Sequence, residues 1–164
     1  MITDLAKPGV TLHGGPLSMR ILARTPELTD IEGLTVALAP PGAAFNFEAW
    51  AVTRPDDGYM TFEVGLGAEG RVFAMARRLT PERWLLEFLA WEGPRRVEAL
   101  TRGLDSFQLT DPKLELDALV PVATDPLREL LGAGFDLLAH EDAKLRLRRP
   151  LGLDALMLAA RWRY

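Results

Sequence analysis

The most regular feature of the chain is an alternation of apolar and polar residues in its first half. In "YMTFEVGL", residues 59–66, Met60 and Phe62 alternate with Thr61 and Glu63. A period of two places neighbouring side chains on opposite faces of a strand. The segment is therefore predicted to be a half-buried strand, with Thr61 and Glu63 pointing into solvent.

Six further segments are predicted to be strands, because they alternate in the same way or are rich in β-branched and aromatic residues. They are residues 17–23, 34–39, 45–53, 71–79, 83–91 and 95–101. Segment 83–91 follows Thr80, Pro81 and Glu82, which resemble a helix start, so a helix is the alternative there. Two tryptophans and a phenylalanine within nine residues favour the strand.

The last third of the chain predicts helices and one strand pair. An Asp followed by a Pro, at 111–112 and again at 125–126, is typical of the first turn of a helix. Residues 135–150 indicate two strands joined around His140, and residues 153–164 carry apolar side chains at helical spacing.

These elements together predict one α+β domain over residues 1–164. Its core is an antiparallel, meander-rich sheet, followed by C-terminal helices and a short strand pair. Residues 1–16, rich in glycine and proline, are predicted to be an irregular lead-in.

The composition narrows the possible chemistry. The 164 residues include no cysteine and carry a net charge of −4, which excludes disulfides, thiolate metal sites and cysteine nucleophiles. The sequence shows neither an apolar run of 18 residues nor a signal peptide, so we predict a cytoplasmic protein without a membrane span. Nucleic-acid binding is not expected, except through the basic tail 144–164, which holds six basic residues and one acid.

Gly65, Gly67 and Gly70 have the spacing G-x-G-x-x-G, which admits two interpretations. A predicted strand precedes them and Glu92 lies 22 residues after the last glycine, so residues 59–92 resemble a Rossmann-type dinucleotide-binding unit. The resemblance implies that the glycines hold a pyrophosphate and that Glu92 binds a ribose.

A hairpin explains the same glycines and is the favoured interpretation. The first strand of a dinucleotide-binding unit is buried on both faces, whereas Thr61 and Glu63 give residues 59–66 one polar face. The chain after Glu92 also lacks the alternating strands and helices that complete a parallel sheet. We therefore predict that "GAEG" is a turn that leads into the strand 71–79.

Few side chains offer catalytic chemistry. The two histidines are His13, beside two glycines, and His140, beside two acids in a predicted turn. The two serines, Ser18 and Ser106, lie outside any nucleophile motif. We therefore predict no catalytic residue, no metal site and no cofactor.

The remaining candidates are surfaces for a partner. As a strand, segment 83–91 is apolar on both faces and needs two covering layers, one of which a second subunit would supply. The basic residues of 144–148 share one face of a predicted strand. The predicted partner-binding residues are Trp84, Phe88, Trp91, Lys144, Arg146 and Arg148.

The sequence thus predicts a non-catalytic bacterial protein-binding module, a homodimeric chaperone-like or adaptor protein that binds another protein. Two alternatives remain open. The first is a nucleotide-dependent enzyme that uses the GLGAEG loop at 65–70. The second is a carrier of a small apolar ligand, in a cavity lined by Trp50, Phe62, Trp84 and Phe88.

Overall fold

The computed structural model describes residues 11–14, 17–22, 26–39, 59–109, 115–121 and 125–149. Within these ranges nine strands form one sheet. The strands are β1 Thr11–Gly14, β2 Leu17–Ile21, β3 Thr35–Leu38, β4 Tyr59–Leu66, β5 Arg71–Thr80, β6 Arg83–Glu92, β7 Glu115–Pro121, β8 Asp136–Glu141 and β9 Lys144–Arg149. The helices are α1 Arg96–Leu109 and α2 Asp125–Gly132, and Leu28–Ile31 form a 3₁₀ turn. None of the helices in these ranges has the length and apolar character that a bilayer span requires.

The topology of the sheet confirms the predicted α+β class. The strand order is β1-β2-β4-β5-β6-β7-β9-β8, and β3 pairs with β6 outside this order. The described strand pairs are antiparallel except β6 and β7, which are parallel. A parallel pair needs a crossover connection, and α1 lies between these two strands in the chain.

Apolar clusters cover both faces of the sheet. On the face that we call the helix face, Phe62, Leu86 and Leu89 are buried together with Leu100 and Leu104 of α1. A smaller cluster lies on the opposite face, and its buried members are Phe73, Met75, Phe88 and Ala90. Both faces of β6 are therefore covered within the chain itself, which accounts for its apolar side chains on both sides.

Most of the predicted strands are confirmed. The confirmed segments are 17–23, 34–39, 59–66, 71–79 and 83–91, together with the strand pair that forms β8 and β9. The predicted helix start at Asp125 is also confirmed, as the first residue of α2. The predicted strand 45–53 and the helical pattern of 153–164 lie outside the described residues.

Three predictions about local structure are wrong. Residues 95–101 form the start of α1 instead of a strand, because Ala99, Leu100 and Leu104 bury one helical face on the sheet. Residues 11–14 of the lead-in form β1. The segment after 111–112 is β7 and not a helix, since two neighbouring strands pair with it.

The G-x-G-x-x-G segment is a hairpin, as the favoured interpretation holds. β4 and β5 are antiparallel and their last described pair is Gly65 with Arg71. Gly67 adopts a φ of +58° in the turn. The alternative prediction, a dinucleotide site formed by Gly65, Gly67, Gly70 and Glu92, is therefore wrong. After the glycines the chain folds back into an antiparallel strand instead of crossing over to a parallel one.

The surroundings of the hairpin correct one detail. Thr61 is only 6% exposed, although its position on β4 was predicted to face solvent. The chain after β2 lies beside it, and the amide of Leu22 donates to the carbonyl of Thr61 at 2.8 Å. Glu63 is half-buried and binds Arg20 at 2.6 Å. The polar face of β4 is thus covered in part by the chain that follows β2.

Gly70 and Gly93 allow the hairpin turn to touch the first turn of α1. A Cβ atom on Gly93 would lie 2.3 Å from the carbonyl oxygen of Glu69, and one on Gly70 would lie 2.7 Å from the carbonyl oxygen of Arg95. The amide of Arg95 donates to the carbonyl of Glu69 at 2.9 Å. This contact fixes α1 against β4 and β5.

Two polar networks fix β9 in the sheet. On the helix face, the buried Arg149 donates to the carbonyl of Ala133 and to side-chain oxygens of Asp105 and Gln108. These bonds join β9 to α1 and to the end of α2. A guanidinium buried in this way is stable because its hydrogen-bond donors are satisfied.

On the opposite face, the fully buried Asp117 of β7 accepts hydrogen bonds from Arg146 and Arg148 of β9, at 2.7 to 3.0 Å. Burial by itself would raise the pKa of Asp117, but the hydrogen bonds from Arg148 and Arg146 outweigh it and hold the pKa below its usual range. The carboxylate is therefore ionised at neutral pH.

We expect Gly93→Ala to destabilise the protein by about 3 kcal/mol, because the φ of Gly93 is +100° and its Cβ would overlap Glu69. Gly67→Ala is the matched control: its φ is also positive, but nothing lies within 4 Å of the added Cβ. It should cost only about 1 kcal/mol. Urea unfolding measures the free energy of unfolding of both variants. Equal losses of this free energy would show that the contact between the hairpin turn and α1 does not stabilise the protein.

Asp117→Asn should lower the free energy of unfolding by about 2 kcal/mol at pH 7, because two arginines lose the carboxylate that they share. The folded pKa lies below the unfolded value, so the contribution is complete above about pH 4 and disappears as the pH falls through the folded pKa. Unfolding measured between pH 3 and 7 should show the difference shrinking in acid. The control, Asp142→Asn, changes an exposed carboxylate and should be nearly neutral throughout.

Candidate functional site

The edge of β6 that faces away from β5 has two different partners. Residues 83–86 pair in parallel with 115–118 of β7, whereas residues 89–91 pair antiparallel with β3. We call the point between them the fork; it consists of Glu87 and Phe88. Ligand sites in open sheets lie at the carboxyl ends of parallel strands, where neighbouring strands diverge, and the fork marks such a point.

A β-bulge lies at the fork. In the pairing with β5, Met75 is opposite Phe88 and Ala76 is opposite Leu86, so Glu87 is an extra residue on β6. A bulge places two successive side chains on the same face of a strand and changes the direction of one of them. Glu87 therefore points to the opposite face, beside Phe88, although the rest of β6 alternates.

Glu87 is a nearly buried carboxylate with two polar neighbours. Its side chain is 10% exposed and pairs with the Nε of Arg77. The hydroxyl of Tyr59 lies 3.4 Å from the other carboxylate oxygen. Tyr59 and Arg77 are direct partners in the β4–β5 pair. The Arg77 contact fixes the orientation of the carboxylate, whereas the Tyr59 contact is long for a hydrogen bond between oxygens.

A pocket of about 420 Å³ lies at the end of β6, between β3 and the first turns of α1 and α2. Trp91, Glu92 and Arg96 form part of its wall, and Asp125 and Glu129 of α2 form another part. The pocket thus lies at the carboxyl end of one strand of the parallel pair, on the helix side of the sheet.

The pocket is acidic. Among the described residues that line it, Glu92, Asp125 and Glu129 carry carboxylates and Arg96 carries a guanidinium. Arg96 is already occupied: its Nε lies 2.9 Å from Glu129 and its guanidinium lies 5.6 Å from the centre of the Trp91 ring. The arrangement therefore disfavours a multiply charged anion, despite the two helix N-termini.

The predicted partner-binding residues lie in different surroundings. Phe88 is fully buried and its ring meets Phe73 edge to face, with centroids 6.1 Å apart. Trp91 is 4% exposed and Trp84 packs on the core of the helix face. No observation tests a partner at these positions, so partner binding stays a prediction.

The predicted basic face carries little net charge in the fold. Arg146 and Arg148 share the buried Asp117, and Arg146 also pairs with Glu141. Lys144 is half-buried at the start of β9. His140 lies on β8, whose residues are all exposed. The described residues include no cluster of three acidic or histidine side chains that suits a metal ion.

Sequence reasoning missed Glu87 as a functional candidate. Its sequence signal is one acid within the otherwise apolar stretch "WLLEFLAW". An acid at such a position requires a buried partner or a function. Tyr59 and Arg77 gave no signal, because only the pairing of β4, β5 and β6 brings them to Glu87.

Neither a protein-family model nor a curated protein matches the chain. Two solved structures are similar to it. The N-acetyltransferase PseH from Campylobacter jejuni is 13% identical, with a TM-score of 0.47 over 59% of this chain and 71% of that chain. The ribosomal-protein-S18-alanine N-acetyltransferase from Escherichia coli is 13% identical, with a TM-score of 0.52 over 82% of this chain and 95% of that chain.

This finding corrects the predicted function. A non-catalytic protein-binding module, whether chaperone-like or adaptor, is contradicted because the fold is shared with an N-acetyltransferase. The alternative of a nucleotide-dependent enzyme is wrong, because its proposed glycine loop is a hairpin turn. The ligand-carrier alternative fails because Phe62 and Phe88 are buried on different faces of the sheet; Trp50 lies outside the described residues. The chain has the fold of an N-acetyltransferase.

Proposed function

We propose that this protein is an N-acetyltransferase, which moves an acetyl group from an activated donor to an amine, with Glu87 as its general base. The observation that carries the proposal is a nearly buried carboxylate at the fork of the parallel pair, in a fold shared over most of its length with an N-acetyltransferase. Fold alone does not assign a reaction, so the site has to support it.

The chemistry that Glu87 would perform is the removal of one proton. The nitrogen of the amine attacks the acetyl carbonyl, a carbon–nitrogen bond forms, and the bond from the carbonyl to the leaving group breaks. The attacking nitrogen gives up a proton, which Glu87 accepts. Arg77 keeps the carboxylate in place during this step, as catalysis by a positioned base requires.

Acetyl transfer commonly uses a thioester of coenzyme A as the donor. The described residues around the pocket do not fit the diphosphate of that molecule, since three of them carry carboxylates and the guanidinium of Arg96 is already paired with Glu129. The hairpin turn also lies against the first turn of α1, where Glu69 binds the Arg95 side chain at 2.8 Å. We therefore assign no step to coenzyme A.

The comparison and the earlier partner prediction support one class of acceptor. The Escherichia coli neighbour is named for an alanine of ribosomal protein S18, which supports a protein or peptide amine as the acceptor here. The predicted protein partner would then be the substrate. A homodimer and a cytoplasmic location also remain proposals, and the cysteine-free sequence supports the second.

The first experiment is an acetyl-transfer assay with Glu87→Gln. Acetyl-CoA and a short acetyl thioester without a nucleotide serve as donors, and a panel of peptides and small amines serves as acceptors. The wild-type protein should acetylate at least one acceptor. The variant should lower kcat by about 100-fold or more, because the amide cannot accept the proton.

Glu63→Gln is the matched control. Glu63 is also paired with an arginine, Arg20, and lies on the same face of the sheet, but it belongs to β4, which is separated from β6 by β5. Its kcat should stay within a factor of two of the wild-type value. A wild-type protein without activity on every donor and acceptor would refute the proposed function, and an active Glu87→Gln variant would refute the role of Glu87.

A further inference from the structure

The pocket and Glu87 lie on different sides of the sheet. The pocket is bounded by α1 and α2 on the helix side, whereas Glu87 contacts Tyr59 and Arg77 on the opposite face. The fork is the place where the two sides approach each other, because there β6 has left β7. A donor in the pocket therefore reaches an amine beside Glu87 through the fork.

β3 closes this path. Leu86 pairs with Ala118 on one side of the fork, and Leu89 pairs with Leu38 of β3 on the other. On this edge of β6, the residues on either side of Glu87 and Phe88 are therefore both paired with a neighbouring strand. β3 also forms a wall of the pocket with Thr35, Val36 and Ala37. In this position it is part of the sheet that separates the pocket from the face that carries Glu87.

β3 is shorter and less buried than the central strands β4, β5 and β6. It has four residues, of which Leu38 alone is buried, and Val36 is 43% exposed. Its pairing with β6 shifts register between Val36 and Leu38. Among the described strands it pairs with β6 and with no other. Local opening requires little free energy where few apolar contacts and few backbone bonds are lost.

We infer that β3 is a gate of the transferase site, an inference that rests on the proposed function. In the closed form β3 fills the edge of β6 beyond the fork. In the open form it leaves that edge, and the pocket becomes continuous with Glu87. The apparent donor affinity is then reduced by the fraction of molecules that are open, so the position of β3 regulates the activity.

A disulfide that locks the gate tests this inference, and the cysteine-free chain makes the experiment clean. Val36 and Ala90 are direct partners across β3 and β6, a spacing that suits a disulfide. The acetyl-transfer rate of the double variant Val36→Cys, Ala90→Cys is measured in its oxidised and in its reduced form. The oxidised form should transfer acetyl groups at least about tenfold more slowly than the reduced form. Dithiothreitol, which reduces the disulfide, should restore the faster rate.

The matched control is a lock at the far edge of the sheet. His140 and Leu145 are direct partners in the β8–β9 pair, away from the fork. Oxidation of His140→Cys, Leu145→Cys should leave the rate unchanged. Equal rates for the oxidised and reduced forms of the Val36–Ala90 variant would overturn the gate and would leave the proposed transferase standing.

Amide hydrogen exchange by NMR tests the gate without any activity. The amide hydrogens of β3 that bond to β6 should exchange at least about tenfold faster than those between β4 and β5 in the wild-type protein. Equally slow exchange in both places would overturn the gate, whatever the activity assay shows. A protein that opens in this way but acetylates nothing would instead refute the proposed function.

Discussion

The structure depends on how the outer edge of β6 is satisfied. β6 has ten residues, and β7 pairs with the first four of them before the two strands separate. Backbone amides and carbonyls inside a protein need partners, so the second half of this edge requires another strand. β3 supplies it, from a distant part of the sequence. The fork and the pocket beyond the strand end both follow from this change of partner.

The sequence predicted the strands well where one strand face is polar or where aromatic residues dominate. β4, β5 and β6 were found for these reasons, and the hairpin excluded the dinucleotide loop. The start of α1 was misread because "RVEALTR" is short and follows an aromatic strand. Ala99, Leu100 and Leu104 do recur at helical spacing, so the signal was present but extends past the predicted end at residue 101.

The candidate site was far less predictable, because it depends on register and on distant partners. Glu87 could be recognised as an acid in an apolar strand, but its direction depends on the bulge, and the bulge exists only against β5. The partners of Asp117 lie 29 and 31 residues away in the chain. Arg146 and Arg148 were therefore read as a free basic surface, whereas their charges neutralise a buried carboxylate.

A strand that completes the sheet beside a reaction site has to meet two opposing requirements. It must pair with β6, since an open edge leaves backbone groups unsatisfied and attracts other chains. It must also separate from β6 at moderate cost if a donor is to reach Glu87. A long, buried strand would satisfy the first requirement and fail the second. The short length of β3 and the exposure of Thr35 and Val36 limit the apolar area that the strand itself loses on opening, since Leu38 is its one buried residue. The weak burial of β3 is therefore what allows one segment to complete the sheet and also to leave the fork.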